Sequence, residues 1–205
     1  MKWILASASP RRKELLAEIL PDFEIIPSCA NESVAEPLSP KALVEMLATR
    51  KAFEVADRPE NEGKLVLGSD TVVAYGDEVL GKPKDEADAF RMLKMLSGKK
   101  HAVYTGVCIL VCKDGKVGYE TKSEKTDVYF NNLSDEWIWE YIRGGSPMDK
   151  AGAYGIQDGG LVAKIEGSYS NVVGLPIELC EKMIKKINSR KDAFNAYLPR
   201  SLWEK

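Results

Sequence analysis

Apolar positions in this chain follow two periods, and the places where the period changes mark out its elements. Trp3-Ile4-Leu5 is a short unbroken apolar run, the mark of a buried strand. Residues 14–20 then repeat apolar side chains at helical spacing, with Ser9 as N-cap and Pro10 in the first helical position. Residues 23–27 predict a second strand, and 29–38 a polar, acidic loop. Ser39-Pro40 opens a helix through Leu43, Met46, Leu47, Ala48, Phe53 and Val55, which Arg58-Pro59 ends. Residues 65–67 and 71–75 read as strand runs with Gly68-Ser69-Asp70 between them, and Gly76-Asp77 as a hairpin turn into Val79-Leu80. Asp85 caps a helix through Ala89, Phe90, Met92, Leu93 and Leu96 that stops at Gly98.

Two long antiparallel strands, 103–111 and 117–130, follow, joined at Asp114-Gly115. Ser134 caps a short helix through Trp137, Ile138 and Ile142, broken by the residues at 144–147. Residues 148–160 are rich in glycine and small side chains, 161–165 predict a strand, 167–174 a loop, and Pro176 opens a last helix ending near Asn188. This order mixes helices with parallel and antiparallel strands. It predicts an α/β (mixed α+β) fold with a sheet flanked by helices, rather than a purely doubly wound one.

Composition narrows the function. The 205 residues suit one domain or a domain of two lobes, and 44% hydrophobic content supports a substantial core. A net charge of -2 gives no general attraction to nucleic acid or to an anionic membrane, so a phosphate site needs a local cluster of cations. No apolar run approaches the roughly 20 residues that cross a bilayer, and Met1-Lys2 leads straight into a core strand, so a cytoplasmic protein is expected. The four cysteines form no C-x-x-C pair and His101 is the only histidine, which argues against zinc and against a histidine-activated nucleophile. Cys108 and Cys112 share one face of an apolar strand and are expected to be buried thiols.

The turn Ala6-Ser7-Ala8-Ser9-Pro10-Arg11-Arg12-Lys13 joins a strand to a helix N-terminus. There the backbone N–H groups and the helix dipole attract anions, and Arg grips phosphate oxygens with two prongs. A polyphosphate cradle and an ordinary capped surface helix fit this stretch equally. Further polar residues recur where strands end or bend: Glu32, Lys51, Asp70, Thr71, Lys82, Asp149, Lys150 and Gln157. Cations of this kind neutralise a polyphosphate, and carboxylates hold a hard metal ion or take a proton from water. Asp70 lies in a strand run, where an acid is costly unless it faces a cleft or a partner; a structural ion pair carries equal weight. Gln157 offers both donor and acceptor to a pyrimidine edge, or is an exposed residue of a tight turn.

Taken together, Leu5-Ala6-Ser7-Ala8-Ser9-Pro10-Arg11-Arg12, Gly68-Ser69-Asp70-Thr71-Val72-Val73, Gly81-Lys82-Pro83, Met95-Leu96-Ser97-Gly98-Lys99, the run from Met148 through Gln157, and Val173-Gly174-Leu175-Pro176-Ile177 resemble the Maf family of nucleoside triphosphate pyrophosphatases. The resemblance implies a bent mixed sheet with two lobes around a cleft, similar to inosine triphosphate pyrophosphatases. It implies one catalytic domain over 1–205, with 189–205 a tail outside the family pattern. It implies cleavage between the α and β phosphates of dTTP and UTP, with a divalent metal, Mg2+ or Mn2+. Asp70 is then the proton acceptor and, with Glu32, a metal ligand. Ser9, Glu32, Lys51 and Lys82 are phosphate or metal contacts, and Arg12, Thr71 and Gln157 set base preference; the residues themselves add Arg11, with Arg12, as a grip on the phosphates. The alternatives are a purine-directed or 7-methyl-GTP pyrophosphatase, and a nucleotide-binding regulator of cell division that does not hydrolyse. The expected partner is the nucleotide substrate, without nucleic acid or membrane. The tail, with Phe194, Tyr197, Leu198, Leu202 and Trp203, is expected to pack back on the body, and a homodimer contact there stays open. Two departures from the family pattern stand out: Ser69 for a usual Ala, expected to be neutral, and Gly106 where Ala is common.

Overall fold

The structure, a computed structural model, describes residues 2–189, 194 and 197–199. Its elements run β1 (Trp3–Leu5), α1 (Pro10–Ile19), β2 (Glu24–Ile25), α2 (Pro40–Ala56), β3 (Leu65–Tyr75), β4 (Glu78–Leu80), α3 (Glu86–Leu96), β5 (Lys100–Lys113), β6 (Lys116–Phe130), α4 (Asp135–Arg143), β7 (Val162–Glu166), α5 (Tyr169–Val173), α6 (Ile177–Ser189) and β8 (Tyr197–Pro199). The strands form a mixed sheet in the order β2-β1-β3-β5-β6-β7, with β4 added to β3 and β8 to β6. β1 is parallel to β2 and β3, whereas β4 and β7 are antiparallel to their neighbours. Asp114 and Gly115, both at positive φ, form the two-residue turn between β5 and β6.

The chain forms two compact units. The first comprises Met1–Asp70, Thr105–Glu124 and Gly174–Lys205; the second comprises Thr71–Tyr104 and Lys125–Val173. In the first unit alternate strand residues face opposite ways. Trp3, Leu5, Leu65, Leu67, Val107, Ile109 and Val111 pack with Leu16 of α1 and with Cys180, Met183, Ile184 and Ile187 of α6. Ile4, Val66, Cys108, Leu110 and Cys112 face the other way, onto Ala48, Ala52, Val55 and Ala56 of α2. Helices on both faces explain why these strands are apolar at nearly every position. In the second unit α3 and α4 pack with Val73, Leu80, Val103, Val128, Phe130 and Tyr154.

Several elements depart from expectation. β3 is one strand rather than two runs, because Gly68, Ser69 and Asp70 continue it, all buried. β5 begins at Lys100, not 103: His101, Val103 and Thr105 are its inward residues, and two polar side chains at buried positions hide the alternation from a hydrophobicity reading. Residues 169–173 form the short α5 instead of a loop. Ser168 Oγ accepts from the Asn171 N–H, so the signal available was a serine N-cap three residues ahead. Phe194 is buried in the first unit's core and β8 pairs with β6, so this part of the tail packs back as expected. Leu202 and Trp203 lie outside the described residues. All four cysteines are free, with Cys108, Cys112 and Cys180 buried. Burial pushes the Cys108 thiol up to about 11, which keeps it protonated and inert.

Candidate active site

Ser9 caps α1 by accepting from the Arg12 N–H, and its own N–H donates to Ser7 Oγ at 3.2 Å. The first turn of α1 contains no acidic residue, so the positive end of the helix and the cations Arg11, Arg12 and Lys13 are not neutralised by acids within that turn. The Arg12 side chain is held from two sides. Its Nε donates to the Gly174 carbonyl at 2.9 Å, and Nη1 to Ser7 Oγ at 3.5 Å. Burial lowers the Arg12 pKa, opposed by the nearby charges of Asp70 and Glu32, with Arg11 adding to the lowering. A guanidinium stays protonated under such a shift. Arg12 and Asp70 therefore sense each other's charge in one unit of the fold.

Asp70 sits in β3 with 7% of its surface exposed. Its Oδ1 accepts from Lys51 Nζ at 2.6 Å, and the same ammonium lies 2.8 Å from Glu32 Oε1. Lys51 is nearly as enclosed as Asp70, whereas the Glu32 side chain is 60% exposed. One cation thus holds a buried and a solvent-facing carboxylate together. The close approach of α2 to β3 makes this reach possible. A Cβ on Gly68 would collide with the Ala48 carbonyl oxygen and lie 2.7 Å from Ala52 N. Gly106 does the same for α2 on β5, where a Cβ would collide with Val44. The Ala that is common there in the resemblance has no room in this chain.

Ser7, Ser9, Arg11, Arg12, Glu32, Lys51 and Asp70 all fall in the first unit. Two contributors lie in the quoted motifs but were not among the predicted site residues. The Gly174 carbonyl takes Arg12 Nε and also Ser69 Oγ, at 3.2 Å. Ser69 is fully buried and makes a bond that Ala lacks. Their contact has no local signal, because it joins a main-chain oxygen to a small residue on a strand.

In the second unit Thr71 follows Asp70 along β3. The Gly152 N–H donates to the Gly81 carbonyl at 3.0 Å, tying the turn 151–153 to the loop that carries Lys82. Gly152, at positive φ, lies so close to Val73 of β3 that a Cβ would be 2.7 Å from its Cγ2. Gln157 is exposed in the turn Ile156–Asp158, which Tyr141 clamps by donating to Asp158 and accepting from the Gly155 N–H. Asp149 and Lys150 pair with each other at 2.9 Å. His101 is buried here, with Nε2 2.8 Å from the Tyr154 hydroxyl and Phe130 edge-on to its ring. That is a structural place and not a nucleophile's partner.

A family model described as Maf-like protein matches residues 2–187. The chain belongs to the Maf family. A dTTP/UTP pyrophosphatase of Thermosipho africanus is 54% identical to this Maf chain over 179 residues, covering 86% of it and 88% of the relative. Another from Thermococcus kodakarensis is 50% identical over 184 residues, covering 88% and 94%. A third from Agathobacter rectalis is 47% identical over 198 residues, covering 90% and 96%. Among solved structures, the Ham1 protein of Staphylococcus aureus superposes with a TM-score of 0.52 at 14% identity, covering 90% of this chain and 98% of that one. At that identity the likeness is one of fold.

Proposed function

We propose that this chain hydrolyses dTTP and UTP between the α and β phosphates, releasing the nucleoside monophosphate and pyrophosphate. Relatives at about half identity over most of the chain are named dTTP/UTP pyrophosphatase. The observation in the fold that carries it is the set Arg12, Asp70, Lys51 and Glu32 gathered at the N-terminus of α1 and the Gly68 crossing of α2. The N-terminus of α1 with Arg11 and Arg12 binds the phosphates, and Lys51 neutralises charge as the pyrophosphate leaves. Asp70 takes the proton of the attacking water. Thr71 and Gln157 read the base, and Lys82 adds a phosphate contact.

A divalent cation, Mg2+ or Mn2+, belongs to the same proposal. Among the described residues no group of three metal-binding side chains is placed together. Mg2+ needs no such group, since it is commonly bound through one or two carboxylates plus substrate phosphates. Asp70 and Glu32, held on one ammonium, supply that donor set. When bound, the cation lowers the pKa of water and offsets charge on the phosphates. Among the described residues no helix is long and apolar enough to cross a membrane. The buried free thiols suit a reducing cytoplasm, where we place the protein.

Incubation with UTP and Mg2+ tests the proposal. The expected products are UMP and pyrophosphate; UDP with orthophosphate refutes it, and tight nucleotide binding without products points to the regulator instead. Asp70→Asn is expected to lower kcat at least about 100-fold, the scale of general base catalysis, while nucleotide still binds. Full turnover in that variant removes Asp70 from the chemistry. CTP, ITP and 7-methyl-GTP in the same assay measure base preference.

A further inference from the structure

The loop carrying Glu32 runs alongside α2, and three side chains spaced four residues apart hold it in order: Arg50 and Glu54 on α2, and Arg58 just past its end. Arg58 Nη2 reaches the Pro27 carbonyl at 3.4 Å. Glu54 Oε2 accepts from Ser28 Oγ and from the Cys29 N–H, both at 2.9 Å, and its Oε1 is gripped by Arg58. Arg50 Nη1 donates to the carbonyls of Asn31 at 3.3 Å and Ser33 at 2.8 Å, the two residues that flank Glu32. The i, i+4 spacing puts Arg50 and Glu54 on one stripe of α2, and Arg58, just past the helix end, is tied to that stripe through Glu54. Lys51, next along the chain, turns to Glu32 and Asp70.

We propose that Arg50 is a positioning residue. By holding the backbone on both sides of Glu32 it sets the carboxylate beside Lys51 and Asp70, at a place that short-range binding of a divalent cation and phosphate requires. This rests on the proposed role of Glu32, and it makes α2 a splint for a loop that has no secondary structure of its own. Both bonds come from one nitrogen, so a lysine ammonium with three donors can replace them and a methionine cannot.

The test compares wild type, Arg50→Met, Arg50→Lys and Glu32→Gln. Amide hydrogen exchange over residues 29–34 is read without metal or nucleotide, Mn2+ affinity is read by electron paramagnetic resonance on the protein alone, and kcat and KM are read with UTP. Arg50→Met is expected to lose protection over 29–34, to weaken Mn2+ binding about 5–10-fold, one hydrogen-bonded contact's worth, and to be no worse when combined with Glu32→Gln. Arg50→Lys restores most of each. Unchanged exchange in Arg50→Met overturns the proposal, as does lost protection with Mn2+ affinity intact, or additive losses in the double variant. If wild type fails to cleave UTP, the function fails, while exchange and Mn2+ affinity still decide the role of Arg50.

Discussion

Replacing Gly68 by Ala puts one methyl group between β3 and α2, and its effect follows from the geometry. The new Cβ would lie 2.7 Å from Ala52 N and closer still to the Ala48 carbonyl oxygen, where ordinary contact is 3.4–4 Å. Both atoms are backbone, so no side chain can swing away and the helix itself must move. The shortfall calls for a displacement of α2 on the order of 1 Å, against a core with no slack. Overpacking of this kind costs about 1–3 kcal/mol, or roughly 3–10 °C in Tm for a chain of this length. The larger consequence is functional. Lys51 lies on the turn of α2 that moves, between Ala48 and Ala52, and its 2.6 Å bond to Asp70 cannot survive such a shift unchanged. Misplacement by about 1 Å near reacting groups costs on the order of 100-fold in rate. The assay is thermal unfolding together with kcat and KM for UTP at 25 °C, where the variant remains folded. A lower Tm with wild-type kcat refutes the link from Gly68 through Lys51 to Asp70. An unchanged Tm refutes the collision itself.

Two further outcomes follow from other parts of the fold. Burial lowers the His101 pKa to about 4, only partly opposed by Asp127, so the folded state resists a proton that the unfolded chain takes up at its ordinary value of 6.5. Stability is thus full above pH 6.5 and falls as pH drops toward 4, by on the order of 2 kcal/mol between pH 7 and 5. His101→Gln should flatten that part of the urea-denaturation pH profile, and an unaltered profile would assign the acid sensitivity elsewhere. Ser69→Ala removes one of two donors to the Gly174 carbonyl and should cost about 0.5–1.5 kcal/mol in stability. Its turnover should fall less than about 5-fold, since Arg12 Nε still satisfies that oxygen; a loss approaching that of Asp70→Asn would show that Ser69 belongs to the chemistry.

Much of the architecture was readable from local pattern. Caps at Ser9, Ser39, Asp85 and Ser134 lie where the helices begin. The turn at Asp114-Gly115 has the positive φ values that its residue types favour. These signals act within one or two turns of chain, so no partner is needed to interpret them. The start of β5 was missed because buried polar residues, His101 and Thr105, break the hydrophobic alternation. For Asp70 the sequence left an ion pair and a reactive carboxylate as rival readings, and the structure shows why they were hard to separate. The residue is in an ion pair, and its partner is another candidate for the same site.

What the chain determined by itself was the set of chemical groups and the local turns that display them: a capped basic helix start, an acid within an apolar strand, and small residues where the backbone must come close. What only the tertiary structure decided was adjacency. Lys51 meets Asp70 because two glycines on neighbouring strands let α2 lie against the sheet. Glu32 meets Lys51 because Arg50, Glu54 and Arg58 bind the loop's backbone and Ser28. Arg12 is held by a carbonyl 162 residues away. Contacts of that separation depend on packing and on main-chain atoms shared by every residue type, so no local pattern of side chains announces them.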